Sequence, residues 1–227
     1  MTASINAIVA SLLSSFERAP VRRQPYPHWF LQNCLPPTVV DEILAMPLTA
    51  ADLGGVSGRR ELHNNTRHYF DPPNRAKYKC AEGVASALQD QRLTSAIERI
   101  FGAQLGGTYL RIEFAQDVDG FWLEPHTDIG VKTFTFLIYL SKDASHADLG
   151  TDIYDHDKTW VGRSPFAPNA GLIFVPSNVT YHGFEPRKID GVRKSLVINY
   201  VTNDWRAREQ LAYPEQPVLS LEEPALV

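Results

Sequence analysis

The sequence predicts an α+β fold, mainly β: an N-terminal helical cap followed by an antiparallel β-domain of the sandwich or barrel type. Three observations lead there. Apolar residues recur at helical intervals only in the first half of the chain. After Gly106 the texture changes to β-branched and aromatic runs divided by Gly, Pro, Asp and Asn. No long helical pattern intervenes between 107 and 203, which argues against parallel βαβ repeats and leaves closely spaced strands.

Taken in order, "INAIVASLLSSF" places Ile5, Ile8, Val9, Leu12, Leu13 and Phe16 on one stripe of an amphipathic helix. Its opposite face lacks Lys and Arg, so docking on the chain's own core is the reading rather than membrane binding. "YPHWFLQNCLPP" reads as extended. Pro36, Pro37 and Thr38 introduce a short helix around "TVVDEILAM", which Pro47 ends. Residues 50–75 are rich in Gly, Asn and Arg and read as a long loop with a function or mobility of its own. A second helical region covers 77–101, with Asp90 as the point where it splits and Gly102 as its stop.

The strand candidates are "TYLRIEF", "FWLEPHTD", "TFTFLIYLS", "TDIYD", "GLIFVPS" and "KSLVINYVTN". The tail "YPEQPVLSLEEPALV" carries three prolines and is expected to run irregularly on the surface. One domain over 1–227 is expected, with 1–105 as cap and supporting segments, 106–205 as β-core and 206–227 as tail.

Composition narrows the function classes. Hydrophobic residues at 44% and charged residues at 21% suit a globular chain with a sizeable core. A formal charge of −4 supplies no broad basic field, so nucleic acid is not an expected partner. Cys34 and Cys80 cannot build a disulfide framework and read as thiols in a reducing compartment. No secretory layout and no apolar run near about 18 residues is present, so a cytoplasmic protein without a membrane span is expected. The first helix offers a surface for a homodimer, although the sequence does not fix the oligomeric state.

"EPHTDIG" holds His126 and Asp128 one residue apart. In a strand, such residues share a face and can offer an imidazole and a carboxylate to one point. With seven histidines in the chain, a chance pair of this kind is common, so context must decide. His126 and Asp128 close an apolar run and precede the strongest strand. His146 and Asp148 in "SHADLG", and His156 in "YDHDK", lie in polar, turn-rich stretches and read as exposed loop. His182 again follows an apolar strand. Arg193 and Ser195 in "GVRKSLVINYV" alternate onto one face, with Lys194 on the other. A buried arginine needs an anion. No acid is evident in its immediate strand, so a ligand carboxylate is attractive, and an ion pair with Glu113 or another acid is the alternative.

The ordered set His126-x-Asp128, His182 and Arg193-x-Ser195 resembles the signature of the Fe(II)/2-oxoglutarate-dependent dioxygenases. "TFTFLIYLSKD" is similar to the strand and turn that follow the HxD pair in the prolyl-hydroxylase-like branch. "DLGTDIYD" resembles a degenerate form of that branch's GGxL segment, with Leu149 where a first Gly usually stands. "APNAGLIFVPSNVTYHGFEP" resembles the segment leading to the distal histidine. The likeness spans 108–202, and the N-terminal half is similar only in general style.

The resemblance implies a double-stranded β-helix, also called a jelly-roll or cupin-like core. His126, Asp128 and His182 would form the facial triad of a non-haem Fe(II) site. 2-Oxoglutarate as cosubstrate would chelate the metal and meet Arg193 with its far carboxylate. Ser195 would add a hydroxyl, and Tyr139 would add another unless it is a core residue. O2 is the second cosubstrate, and ascorbate belongs to the cofactors the resemblance admits. Halogenating relatives replace the acid of the triad with a small residue, so Asp128 favours hydroxylation of a C–H bond with release of succinate and CO2.

The substrate is less legible: a small molecule, an amino acid or a prolyl-like peptide residue. Arg67, His68 and Tyr69 sit in a loop able to cover the site, or face water. Phe121 and Trp122 suit the entrance or the core. Tyr109, Arg111 and Glu113 share one strand face. Two alternatives stay open. One is a zinc or manganese cupin-like protein, the other a metal-binding interaction module without turnover.

Overall fold

The computed structural model describes residues 3–50, 58, 67–128 and 130–219. Five α-helices run over Ile5–Arg18 (α1), Pro37–Leu44 (α2), Pro72–Lys77 (α3), Lys79–Gln89 (α4) and Gln91–Phe101 (α5). The strands are Val21–Arg22 (β1), His28–Leu31 (β2), His68–Tyr69 (β3), Tyr109–Asp117 (β4), Leu123–His126 (β5), Lys132–Tyr139 (β6), Asp152–Tyr154 (β7), Trp160–Arg163 (β8), Gly171–Phe174 (β9), His182–Phe184 (β10) and Arg193–Val201 (β11). They form a seven-stranded sheet, ordered β1-β2-β9-β6-β11-β4-β3, and a four-stranded sheet, ordered β5-β10-β7-β8. Neighbouring strands pair antiparallel, giving the jelly-roll type of double-stranded β-helix.

Alternation along the long strands divides the core into two. On β6, Phe134, Phe136 and Ile138 join Ile112, Ile198 and Tyr200 beneath α1, α4 and α5. The intervening Leu137 and Tyr139 face the other way, with Ala115, Val197 and Phe174, against Phe121, Ile153 and Phe184. A period of two thus sends one set under the helices and the other between the sheets. The between-sheet face also carries the polar side chains of β4 and β11, and the site lies there.

Local chemistry explains the helix ends. Ser4 caps α1 by accepting from the Ala7 amide. Asp90 ends α4 and caps α5, accepting from the Arg92 amide, and Gly102 closes α5 in the left-handed region at φ 75°. The α1 stripe is narrower than its sequence, since Ile5 stays 42% exposed. Helix α3 lies where a loop was expected. Asp71 caps it by accepting from Asn74, and Pro72 and Pro73 occupy its first turn, where a missing N–H costs little.

Other expectations need correction. The segment 1–105 is more than helical: β1, β2 and β3 extend the seven-stranded sheet. The described part of the tail, 213–219, runs irregularly with Glu215, Gln216, Pro217 and Leu219 exposed, but Val218 is buried and anchors it. The Val218 amide donates to the Thr108 carbonyl at 2.7 Å and its own carbonyl accepts from Gly107 at 2.9 Å. Residues 220–227, and most of the expected 50–75 loop, lie outside the described residues. His146 is buried rather than exposed, its Nε2 2.6 Å from the Asp190 carbonyl. Asp148 points away to solvent, and His156 is also exposed. Among the described residues no helix is long and apolar enough to cross a membrane.

The four-stranded sheet is pinned by Asp152, which is fully buried. Its Oδ1 accepts from Trp160 Nε1 at 3.0 Å and Arg163 Nε at 2.7 Å. Its Oδ2 accepts from the Glu185 amide at 2.8 Å and from Arg187 at 2.6 Å. Burial pushes this carboxyl up, but the donors from Arg187, Glu185, Trp160 and Arg163 together hold it below the usual aspartate range. A depressed carboxyl stabilises the fold above its unfolded value, near 3.9, and the contribution is lost as pH falls through the folded value. Asp152→Ala is expected to cost about 3 kcal/mol or more in urea unfolding at pH 7, because Arg163 and Arg187 lose a buried partner. An unchanged midpoint would remove Asp152 from this role.

Candidate active site

The site begins with strand register. His182 on β10 stands directly opposite His126 on β5, and the two ring centroids are 4.5 Å apart. Gly183 permits this pairing, because a Cβ there would meet the Leu123 carbonyl at 2.8 Å. Each imidazole is oriented by its own backbone: His126 Nδ1 lies 2.7 Å from the Glu124 carbonyl and His182 Nδ1 lies 3.0 Å from the Thr180 carbonyl. With Nδ1–H donating to a carbonyl, Nε2 presents a lone pair. Asp128 follows β5, and one ligand atom from each of His126, Asp128 and His182 lies within 4.8 Å of the others.

Electrostatics suit a cation. Burial, then the neighbouring His126, lower the His182 imidazole to about 3, so it is neutral and able to ligate at neutral pH. Asp128 is held from two sides. Its Oδ2 accepts from Thr135 Oγ1, and its Oδ1 is paired with Lys132 Nζ. Two imidazoles with Nε2 turned to one point and an oriented carboxylate fit a non-haem Fe(II) ion.

The opposite wall comes from β4 and β11. Arg193 Nε donates to the Leu149 carbonyl at 2.7 Å, and its NH1 donates to Asp117 Oδ2 at 2.5 Å. The acid that Arg193 needs is therefore Asp117, its cross-strand partner, and not Glu113. Glu113 instead meets Arg111 at 2.7 Å and Arg67 at 3.4 Å. Ser195 Oγ is buried and has no hydrogen-bond partner among the described residues, which fits an acceptor supplied by a ligand. His126, Asp128, His182, Arg193 and Ser195 all line one cavity.

Other residues sort differently. Tyr139 is not a wall of this cavity. Its hydroxyl bonds to those of Thr151 at 2.8 Å and Ser164 at 2.5 Å, and Thr151 is a wall. Arg67 and Phe121 line the cavity, with the guanidinium 5.1 Å from the ring centroid. Gly58 lies in the expected 50–75 loop, ahead of Arg67, His68 and Tyr69. It bridges to Leu123 on β5, its φ is +99°, and a Cβ there would meet the Trp122 ring at 2.5 Å. His68 bonds instead to the Thr49 carbonyl. Arg111 is wholly buried and bonded to Gln210 and Asn199. Sequence reasoning missed Asp117, Lys132, Thr135 and Thr151. A signal existed for Thr135, which shares the alternating face of Leu137 and Tyr139.

Thr135→Val should lower Fe(II) or Mn(II) affinity by about ten- to a hundredfold, since groups that orient a ligand carry that much. Metal-induced thermal stabilisation checks this, and an unchanged metal affinity would show that the hydroxyl does not position Asp128.

No protein-family model matches this chain, and no curated protein matches it. Solved structures do. A prolyl 4-hydroxylase from Phytophthora capsici superposes with a TM-score of 0.61 at 13% identity, covering 89% of this chain and 67% of that one. A Trichoplax adhaerens prolyl hydroxylase, in complex with a hypoxia inducible factor oxygen degradation domain peptide fragment, gives 0.56 at 15% identity over 87% and 88%. A Pseudomonas putida prolyl-4-hydroxylase gives 0.54 at 16% identity over 89% and 95%. At such identities the likeness is one of architecture. The chain has the fold of these prolyl hydroxylases, a double-stranded β-helix.

Proposed function

We propose that this chain is an Fe(II)- and 2-oxoglutarate-dependent dioxygenase that hydroxylates a C–H bond and releases succinate and CO2. The observation that carries it is the convergence of His126, Asp128 and His182 in a cavity whose far wall holds Arg193 and the Ser195 hydroxyl, which has no partner among the described residues.

In this reading His126, Asp128 and His182 hold the ion. Bound Fe(II) supplies the oxidation chemistry that couples decarboxylation of the 2-oxo acid to hydroxylation. The chain's own residues do the rest. Arg193 binds the far carboxylate of 2-oxoglutarate through charge-assisted hydrogen bonds, and Ser195 donates its hydroxyl beside it. Tyr139 holds Thr151 at the wall rather than touching the cosubstrate. Thr135 and Lys132 fix the Asp128 carboxylate. Phe121, Leu137, Phe184 and Val197 give the cavity apolar walls that keep water out.

The substrate class that fits is a polar small molecule, an amino acid or a prolyl-like peptide residue, because the cavity carries Arg67, Glu113 and Lys132 among its aromatic and aliphatic walls. Both thiols, Cys34 and Cys80, are free and buried, in keeping with a reducing compartment. A metal-binding module without turnover is the second reading, and the Asp117 carboxylate already on Arg193 is the observation that favours it.

Calorimetric titration of 2-oxoglutarate into anaerobic Fe(II) protein is expected to report binding that Arg193→Ala weakens by at least about tenfold, a change of about 1.4 kcal/mol. Aerobic succinate formation from 2-oxoglutarate is expected in the wild type and absent in His126→Ala. Equal affinity in wild type and Arg193→Ala would contradict the cosubstrate assignment.

A further inference from the structure

We infer that Asp117 is a positioning residue that competes with the incoming diacid for Arg193 and is drawn off by Arg67. The inference rests on the 2-oxoglutarate reading above.

Asp117 ends β4 and faces Arg193 directly in register, with both on the between-sheet face. Its carboxylate is divided between two guanidiniums. Oδ2 accepts from Arg193 and Oδ1 accepts from Arg67, each at 2.5 Å. Side chains at this junction are nearly closed to water, 2% exposed for Asp117 and 6% for Arg193. Charges here are therefore weakly screened. The pairing continues in alternating sign, from Arg193 to Asp117, Arg67, Glu113 and Arg111.

A guanidinium has five N–H donors, so Arg193 can meet a second anion without first leaving Asp117. Two carboxylates then share one cation at close range and repel. Arg67 relieves that repulsion because it already holds the other oxygen of Asp117 and comes from outside the β4–β11 ladder. The affinity for a diacid is thus lower than Arg193 alone would give, and it depends on Arg67. An Asp117 that only oriented Arg193 would act with the opposite sign, since its loss would disorder the binding cation.

The test titrates 2-oxoglutarate and 2-oxobutyrate, which lacks the far carboxylate, into anaerobic Fe(II) protein. Asp117→Asn should tighten 2-oxoglutarate binding about tenfold and leave 2-oxobutyrate unchanged. Arg67→Gln should weaken 2-oxoglutarate binding about tenfold, again sparing 2-oxobutyrate. The double variant should bind 2-oxoglutarate more tightly than Arg67→Gln alone. Unchanged or weaker 2-oxoglutarate binding in Asp117→Asn overturns the inference, as does an equal change for both acids. Should Asp117→Asn not fold, Arg67→Gln decides: 2-oxoglutarate affinity equal to wild type overturns the inference. Failure of the wild type to bind 2-oxoglutarate, or indifference to Arg193→Ala, overturns the parent reading instead.

Discussion

The antiparallel register of β5 with β10 is the constraint on which the site depends. It sets His126 across from His182, and the glycine beside His182 lets the two strands approach closely enough to hold that pairing. A slip of one residue would send one imidazole to the opposite face of its strand, and no cation could then be held by both. Asp152 guards this register from the other side of β10, since its carboxylate ties Glu185 and Arg187, just beyond the strand, to β7 and β8. A buried acid outside the cavity, cross-strand from Gly183, thus keeps the ligand-bearing edge in place.

The second feature is how charge is arranged where water is scarce. Every described guanidinium on the inner wall meets a carboxylate, and the acids are shared rather than assigned one to one. Truncating one member of such a set leaves its partner buried and unpaired, which costs more than the pair contributes when intact. The same sharing makes the wall responsive. An anion arriving at Arg193 changes the balance at Asp117, and from there at Arg67. Lys132 and Asp128 repeat the arrangement beside the imidazoles.

Much of this was legible in the chain, and the reasons are physical. Long strands with strict alternation, such as β4, β6 and β11, announce themselves, because each face has a distinct environment to satisfy. The convergence of His126, Asp128 and His182 was legible because they sit at the ends of apolar runs, where strands surface at a rim. Some short elements were not. β8 and β10 hold four and three residues, too few for a period, and α3 hid behind two prolines that read as loop. His146 misled because a turn-rich stretch folds its ring inward against Phe166. Asp117 was invisible for a deeper reason: its pairing with Arg193 is set by strand register, which no local pattern records.

The central claim, three side chains on one ion, is tested most directly by an anaerobic crystal structure of the Fe(II)-loaded protein with anomalous scattering at the iron edge. The account expects one peak bonded by Nε2 of His126, Nε2 of His182 and a carboxylate oxygen of Asp128. A peak elsewhere, or one reached by a single imidazole, would contradict it.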